Sequence, residues 1–132
     1  MTAATLAVSA YARSSASTAH PAEVVRMAYE RIVTACDRAT EAASEQDAGW
    51  LQRFHDEATR AQALLLELSG MLATGAADPA VAAMARDLGD LYLFAVRQLT
   101  AANVAKDAAP LVGVRASIDG LRDAWTTGVL AT

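Results

Sequence analysis

Positive charge is scarce in this chain: Lys and Arg number 11 against 15 Asp and Glu, for a formal net charge of −4. Neutralising phosphates needs a basic excess, so nucleic acid is not an expected partner. One cysteine, Cys36, cannot close an internal disulfide; among apolar helical positions it reads as a buried structural thiol in a reducing cytosol. Aromatics are only 5% of the residues, and 3 prolines and 7 glycines are few interruptions, which favours helix over sheet. No apolar run approaches the roughly 20 residues of a membrane-spanning helix, so membrane insertion is not expected. The opening M-T-A-A-T-L-A-V-S-A-Y-A-R has no basic region before its weakly apolar stretch and does not read as a signal peptide.

What is present is alanine, leucine and a helical period. At 132 residues the chain fits one domain with a real core. Residues 1–19 are rich in Ala, Ser and Thr, with Leu6, Val8 and Tyr11 as their substantial apolar anchors. They read as an N-terminal strap, whether a short helix or a frayed tail, ahead of a bundle over residues 20–132. Helix one starts near Pro21, with Glu23 where a capping-box acid would stand, and its seam is Val25, Tyr29, Ile32, Cys36, Ala39 and Ala43. Residues 44–47 read as a turn from which Asp47 caps helix two, with seam Leu51, Phe54, Ala58, Ala61, Leu65, Leu68 and Leu72. Leu64, Leu66 and Met71 widen that helix's apolar surface beyond one stripe, toward a partner or a second core layer.

Gly70 and Gly75 bracket the end of helix two, and Asp78-Pro79 is a cap followed by an N1 proline. Val81, Met84 and Leu88 lead into residues 91–107, L-Y-L-F-A-V-R-Q-L-T-A-A-N-V-A-K-D, where Leu91, Ala95, Leu99 and Ala102 continue the seam. Asn103 is a poor interior helix residue, so it calls for a hydrogen-bonding reason to be there. Asp107 before Pro110 caps helix four, with seam Leu111, Val114, Ile118, Leu121, Trp125 and Val129. Helices of roughly 20 to 28 residues joined by short connections give an all-α fold, an antiparallel up-down-up-down four-helix bundle.

The stretch 91–107 also carries a family resemblance. L-Y-x-x-x-x-R-x-L-x-x-A-N-x-x-x-D looks like the third helix of the flagellar export chaperone FliS. H-P-A-E-V-V-R-M-A-Y from His20, A-Q-A-L-L-L-E-L from Ala61 and L-R-D-A-W from Leu121 are similar to further pieces of that family, in the same order. His20 stands where the family has Ser, and Arg26 and Ala28 replace leucines of its usual first helix. The resemblance implies a cytoplasmic chaperone, not an enzyme, with no cofactor. Its partners would be the disordered C-terminal segment of flagellin, kept from polymerising, and a component of the flagellar export gate. Carried over by position, Tyr11 resembles the strap tyrosine, Gln62 belongs to the second-helix motif, and Tyr92, Arg97, Asn103 and Asp107 to the third; these six are the candidate client-binding residues. Trp125 matches the end of the fourth helix and, like Tyr29, stands on a seam.

Two rival readings come from the residues themselves. His55, in R-F-H-D-E-A, is a possible phosphotransfer histidine, although the lysine and glycine that such sites resemble one another in carrying do not follow it. A structural bundle homodimerising through helix two is the other. Neither His20 nor His55 has metal-ligand spacing, and no phosphate loop or nucleophile elbow occurs, so no metal or catalytic site is expected.

Overall fold

Apolar residues at alternating three- and four-residue spacing bury one stripe per helix, and four such stripes close a core. The computed structural model describes residues 21–127. They form α1 (Pro21–Glu45), α2 (Trp50–Gly70), α3 (Pro79–Ala105) and α4 (Ala109–Trp125). Each helix packs against two others, α1 and α3 both on α2 and on α4, in an antiparallel square. The expected strap, with Tyr11, and Val129 of the fourth seam lie outside the described residues.

The core residues are largely those of the seams. Val25, Tyr29, Ile32, Cys36 and Ala39 of α1 are buried, as are Phe54, Ala58, Ala61, Leu65 and Leu68 of α2 and Leu111, Val114, Ile118 and Trp125 of α4. Buried alanines at 35, 39 and 42 on α1, and at 58 and 61 on α2, let these two helices approach closely. Burial pushes the Cys36 thiol up to about 11, which keeps it a protonated, unreactive core group at neutral pH.

Some expectations need correction. Leu91, like Ala43, Leu72 and Leu121 of the other seams, is half-buried at the flank of the core, and the central line of α3 is Leu88, Tyr92, Ala95, Leu99 and Ala102. One residue is 100° of helix rotation, enough to exchange a core position for a flanking one. Leu51, placed on the α2 seam, is half exposed, because it lies in the first turn of a helix that begins only at Trp50. Asp47 does not cap α2 with its side chain. The chain turns through Gly49, at φ 81° in the left-handed region that suits glycine, and the Asp47 carboxylate pairs with the Arg53 guanidinium.

Other caps form as the sequence implies. Asp78 Oδ1 accepts the Ala80 amide at 2.9 Å with Pro79 in the first turn of α3, and Asp107 Oδ1 accepts the Ala109 amide at 3.0 Å at the start of α4. Lys106, at φ 52°, takes the left-handed position that ends α3.

Candidate protein-binding groove

On α2, His55, Thr59, Gln62 and Leu66 follow one another at four, three and four residues. On α3, Leu93, Arg97, Thr100 and Val104 repeat that spacing. This is helical period displaced from the core, so each set lies along one line at the outer edge of its helix. Hydrogen bonds fix how the lines meet. Gln62 Nε2 donates to Thr100 Oγ1 at 2.7 Å and reaches Val96 O at 3.4 Å, while Thr100 Oγ1 donates to Val96 O at 2.9 Å. Further toward the start of α2, His55 Nδ1 lies 3.0 Å from Asn103 Nδ2. Toward its end, a Cβ on Gly89 would lie 3.3 Å from Leu72 Cδ1, so the helices are close there too.

That antiparallel register sets Leu66 level with Leu93 and Val104 level with His55. Leu66 is 58% exposed, Leu93 47% and Val104 83%. The groove thus has apolar edges toward both ends and polar groups across its middle. From His55 to Leu66 it runs about 16 Å along the helix, at 1.5 Å per residue. An amphipathic segment can lay leucine-like side chains against the edges and satisfy its polar groups at the centre. Arg97, exposed and without an ion pair to a described residue, adds a free guanidinium for a carboxylate.

The Asn103 end of the groove has a defined polarity. Lys106 Nζ donates to Asn103 Oδ1 at 2.5 Å and to its backbone carbonyl at 2.9 Å. An ammonium has only donors, so Oδ1 is the acceptor and the Asn103 amide nitrogen must donate. In that bond His55 Nδ1 is the acceptor. The same ammonium lies 5.8 Å from the centroid of the Phe54 ring, on which Trp50 packs edge-on at 6.4 Å.

The six residues singled out by motif are divided by the structure. Gln62, Arg97 and Asn103 come together along the α2–α3 groove. Tyr92 does not line it: its side chain is buried, its hydroxyl 2.5 Å from that of Tyr29 across the core. Asp107 is exposed in the turn after α3 and serves the α4 cap. Tyr11 lies outside the described residues. Sequence reasoning missed Leu93, Thr100 and Val104, although the displaced four-three-four spacing was available as a signal. It read His55 as a possible phosphoacceptor; its role as the partner of Asn103, 48 positions away, needs the register.

Among the described residues no group of three or more His, Cys, Asp or Glu is placed to hold a metal ion, and no helix is long and apolar enough to cross a membrane. The groove offers side chains suited to holding a polypeptide: leucines, a valine, amides, a hydroxyl and a guanidinium. No curated protein matches the chain. A comparison with protein families matches residues 3–131 to the flagellar protein FliS family. That span takes in all four helices and the groove, and by it the chain belongs to the flagellar protein FliS family.

Proposed function

We propose that the protein is an export chaperone that binds the disordered C-terminal segment of flagellin in the cytosol, prevents its premature polymerisation and aids its delivery to the flagellar export gate. Membership of the FliS family gives the flagellar context. The observation that carries the binding role is the α2–α3 groove, where Leu66, Leu93 and Val104 stay exposed beside a hydrogen-bonded centre. Three apolar side chains aligned on paired helices of an otherwise well-filled bundle make a surface for a partner. A client segment that folds onto it exchanges its ordering entropy for apolar burial and amide pairing. No bond is made or broken in this role, so the protein acts as a binder and not as an enzyme. Gln62, Arg97 and Asn103 contact the client in this reading, while Tyr92 and Asp107 support the bundle.

The test is calorimetric titration with a flagellin C-terminal peptide. Leu66→Glu and Leu93→Glu each place a carboxylate where an apolar client side chain would bury it unpaired, and each should weaken binding at least about tenfold, or 1.4 kcal/mol. Both side chains are exposed, so melting temperature should hold. Unchanged affinity in both variants would overturn the assignment of the groove, and a change in self-association instead of client affinity would point to a homodimer.

A further inference from the structure

The opposite flank of α2 carries a second surface that the α2–α3 groove does not use. On α1, Val24, Met27, Arg31, Thr34 and Arg38 are all exposed and follow one another at three, four, three and four residues. They form one line beside α2, spanning about 21 Å at 1.5 Å per residue. Met27, Arg31, Thr34 and Arg38 border a cleft of about 530 Å³ whose α2 wall includes Glu57 and Arg60.

Its chemistry is divided along its length. At one end Val24 is 50% and Met27 39% exposed, and Met71, near the end of the antiparallel α2, is 41% exposed. Along the middle the cleft is cationic, although the chain as a whole carries a net charge of −4. Arg26, Arg53, Arg60, Arg115 and Arg122 each pair with a carboxylate of this chain. Arg31 and Arg38 pair with none among the described residues, and at seven residues' spacing they stand two turns apart on the same face. The bordering Glu30 carboxylate pairs with Arg26, and Glu57 Oε1 accepts from Arg60 at 2.7 Å. Glu57 Oε2 is buried with no hydrogen-bond partner, an unmet acceptor in the α2 wall. Beyond Arg38 the adjoining cleft turns acidic, with Glu41, Glu45, Asp47 and Asp56.

We propose that this α1–α2 cleft is a second docking surface, for an amphipathic helix of another protein with apolar residues at one end of its binding face and carboxylates toward the other. The apolar residues cover Val24, Met27 and Met71. Two carboxylates about seven residues apart meet Arg31 and Arg38, where charge-assisted pairs form without competition from an internal partner. The acidic stretch past Arg38 repels any partner whose carboxylates continue further, which fixes the register. Because the two surfaces lie on opposite flanks of α2, a partner here and a client in the α2–α3 groove bind together.

The test uses a synthetic helical peptide of about four turns, fluorescently labelled, with leucines facing the first turn and glutamates at i and i+7 facing the last two, beside the same peptide with lysines for glutamates. Anisotropy should show binding of the glutamate peptide that weakens with salt, and binding of the lysine peptide at least about tenfold weaker. Amide shifts should centre on Met27, Arg31 and Glu57, and Arg31→Ser/Arg38→Ser should lose about tenfold in affinity with unchanged melting temperature. A flagellin C-terminal peptide should not displace the probe. Equal binding of both probes, full affinity in the double variant, or shifts centred on Leu66 and Leu93 would overturn the proposal, as would displacement by the flagellin peptide. A flagellin peptide that fails to bind refutes only the client assignment, since the probe titration is read without it.

Discussion

The two ends of the bundle are closed by aromatic residues in opposite ways. Toward the start of α1 and the end of α4, level with the middle of α3, Tyr29, Tyr92 and Trp125 are each 2% exposed or less. The two hydroxyls meet at 2.5 Å and Trp125 packs edge-on against Tyr29 with centroids 6.4 Å apart. Neighbouring Val25, Leu68, Leu88 and Tyr92 leave a void of only about 10 Å³. Where α1 and α3 end, Phe54 is buried, but Trp50 and Lys106 over it are half-buried, and the His55–Asn103–Lys106 chain is open to water along one side. The first end makes its polar bond in the dry interior, where losing a partner is expensive. The second makes its bonds where water can replace them. Stability is therefore concentrated at the first end, and the α2–α3 groove runs out into the second, where polar side chains can exchange internal partners for a client's.

Trp125→Ala should break this comparison most forcefully. It empties a large, fully packed site, and aromatic-to-alanine changes in cores cost about 3 to 5 kcal/mol. Thermal melts should show a large fall, with the surviving helical signal lost at a lower temperature. A loss no greater than that of a substitution at the Asn103 end would mean that the two ends contribute alike.

Tyr92→Phe is the next largest, at about 1 to 2 kcal/mol, because it removes the buried hydrogen bond between the Tyr29 and Tyr92 hydroxyls. Tyr29→Phe/Tyr92→Phe should cost less than the sum of the single changes, since each single change already breaks the one bond that the two hydroxyls share. Denaturant melts of the four proteins measure the coupling. Additive costs would show that the short contact does not join the hydroxyls energetically. The bond spans diagonal helices, α1 to α3, and two such groups can meet only in one register. The pair thus favours the native alignment of the alanine-rich α1 over slipped ones.

How much of this was legible in the sequence depended on whether a feature is periodic or paired. The seams of α1, α2 and α4 were readable because burial follows rotation about one helix, so Ile32, Leu65 and Ile118 declare themselves by spacing alone. On α3 the spacing was ambiguous: Leu91 and Tyr92 both continue a three-four pattern, and the leucine was favoured over the tyrosine that the core holds. The Asp107 cap was legible from Asp before Pro110, whereas Asp47 was misread because the left-handed turn at Gly49 moved the start of α2 beyond its reach. Contacts between helices were not legible at all. Gln62 with Thr100 and His55 with Asn103 depend on a register set by loop geometry and core packing together, and one sequence carries no signal of it. Half of the groove could be anticipated, since Leu66 and Gln62 stood out for separate reasons, but the facing stripe on α3 could not be matched to it.

The smallest effect belongs to Asn103→Ala, at the water-facing end. The substitution removes the amide that donates to His55 Nδ1 and the oxygen that accepts from Lys106 Nζ. Opposing that loss, alanine is the better helix former by roughly half a kcal/mol, and the freed imidazole and ammonium are accessible to water. The net change in stability should therefore stay near 0.5 to 1 kcal/mol, well below the cost at Tyr92. Binding should respond more than folding does. If Asn103 and Lys106 exchange their mutual bond for bonds to a client, the alanine variant loses the groove's amide while the bundle is almost unaffected, and a flagellin C-terminal peptide should bind several-fold more weakly in calorimetry. His55→Ala should reproduce part of that loss by releasing the amide from its fixed orientation. A variant with a raised melting temperature and full client affinity would show that Asn103 contributes to neither, and the polar end of the groove would then have to be assigned to Arg97 and Gln62 alone.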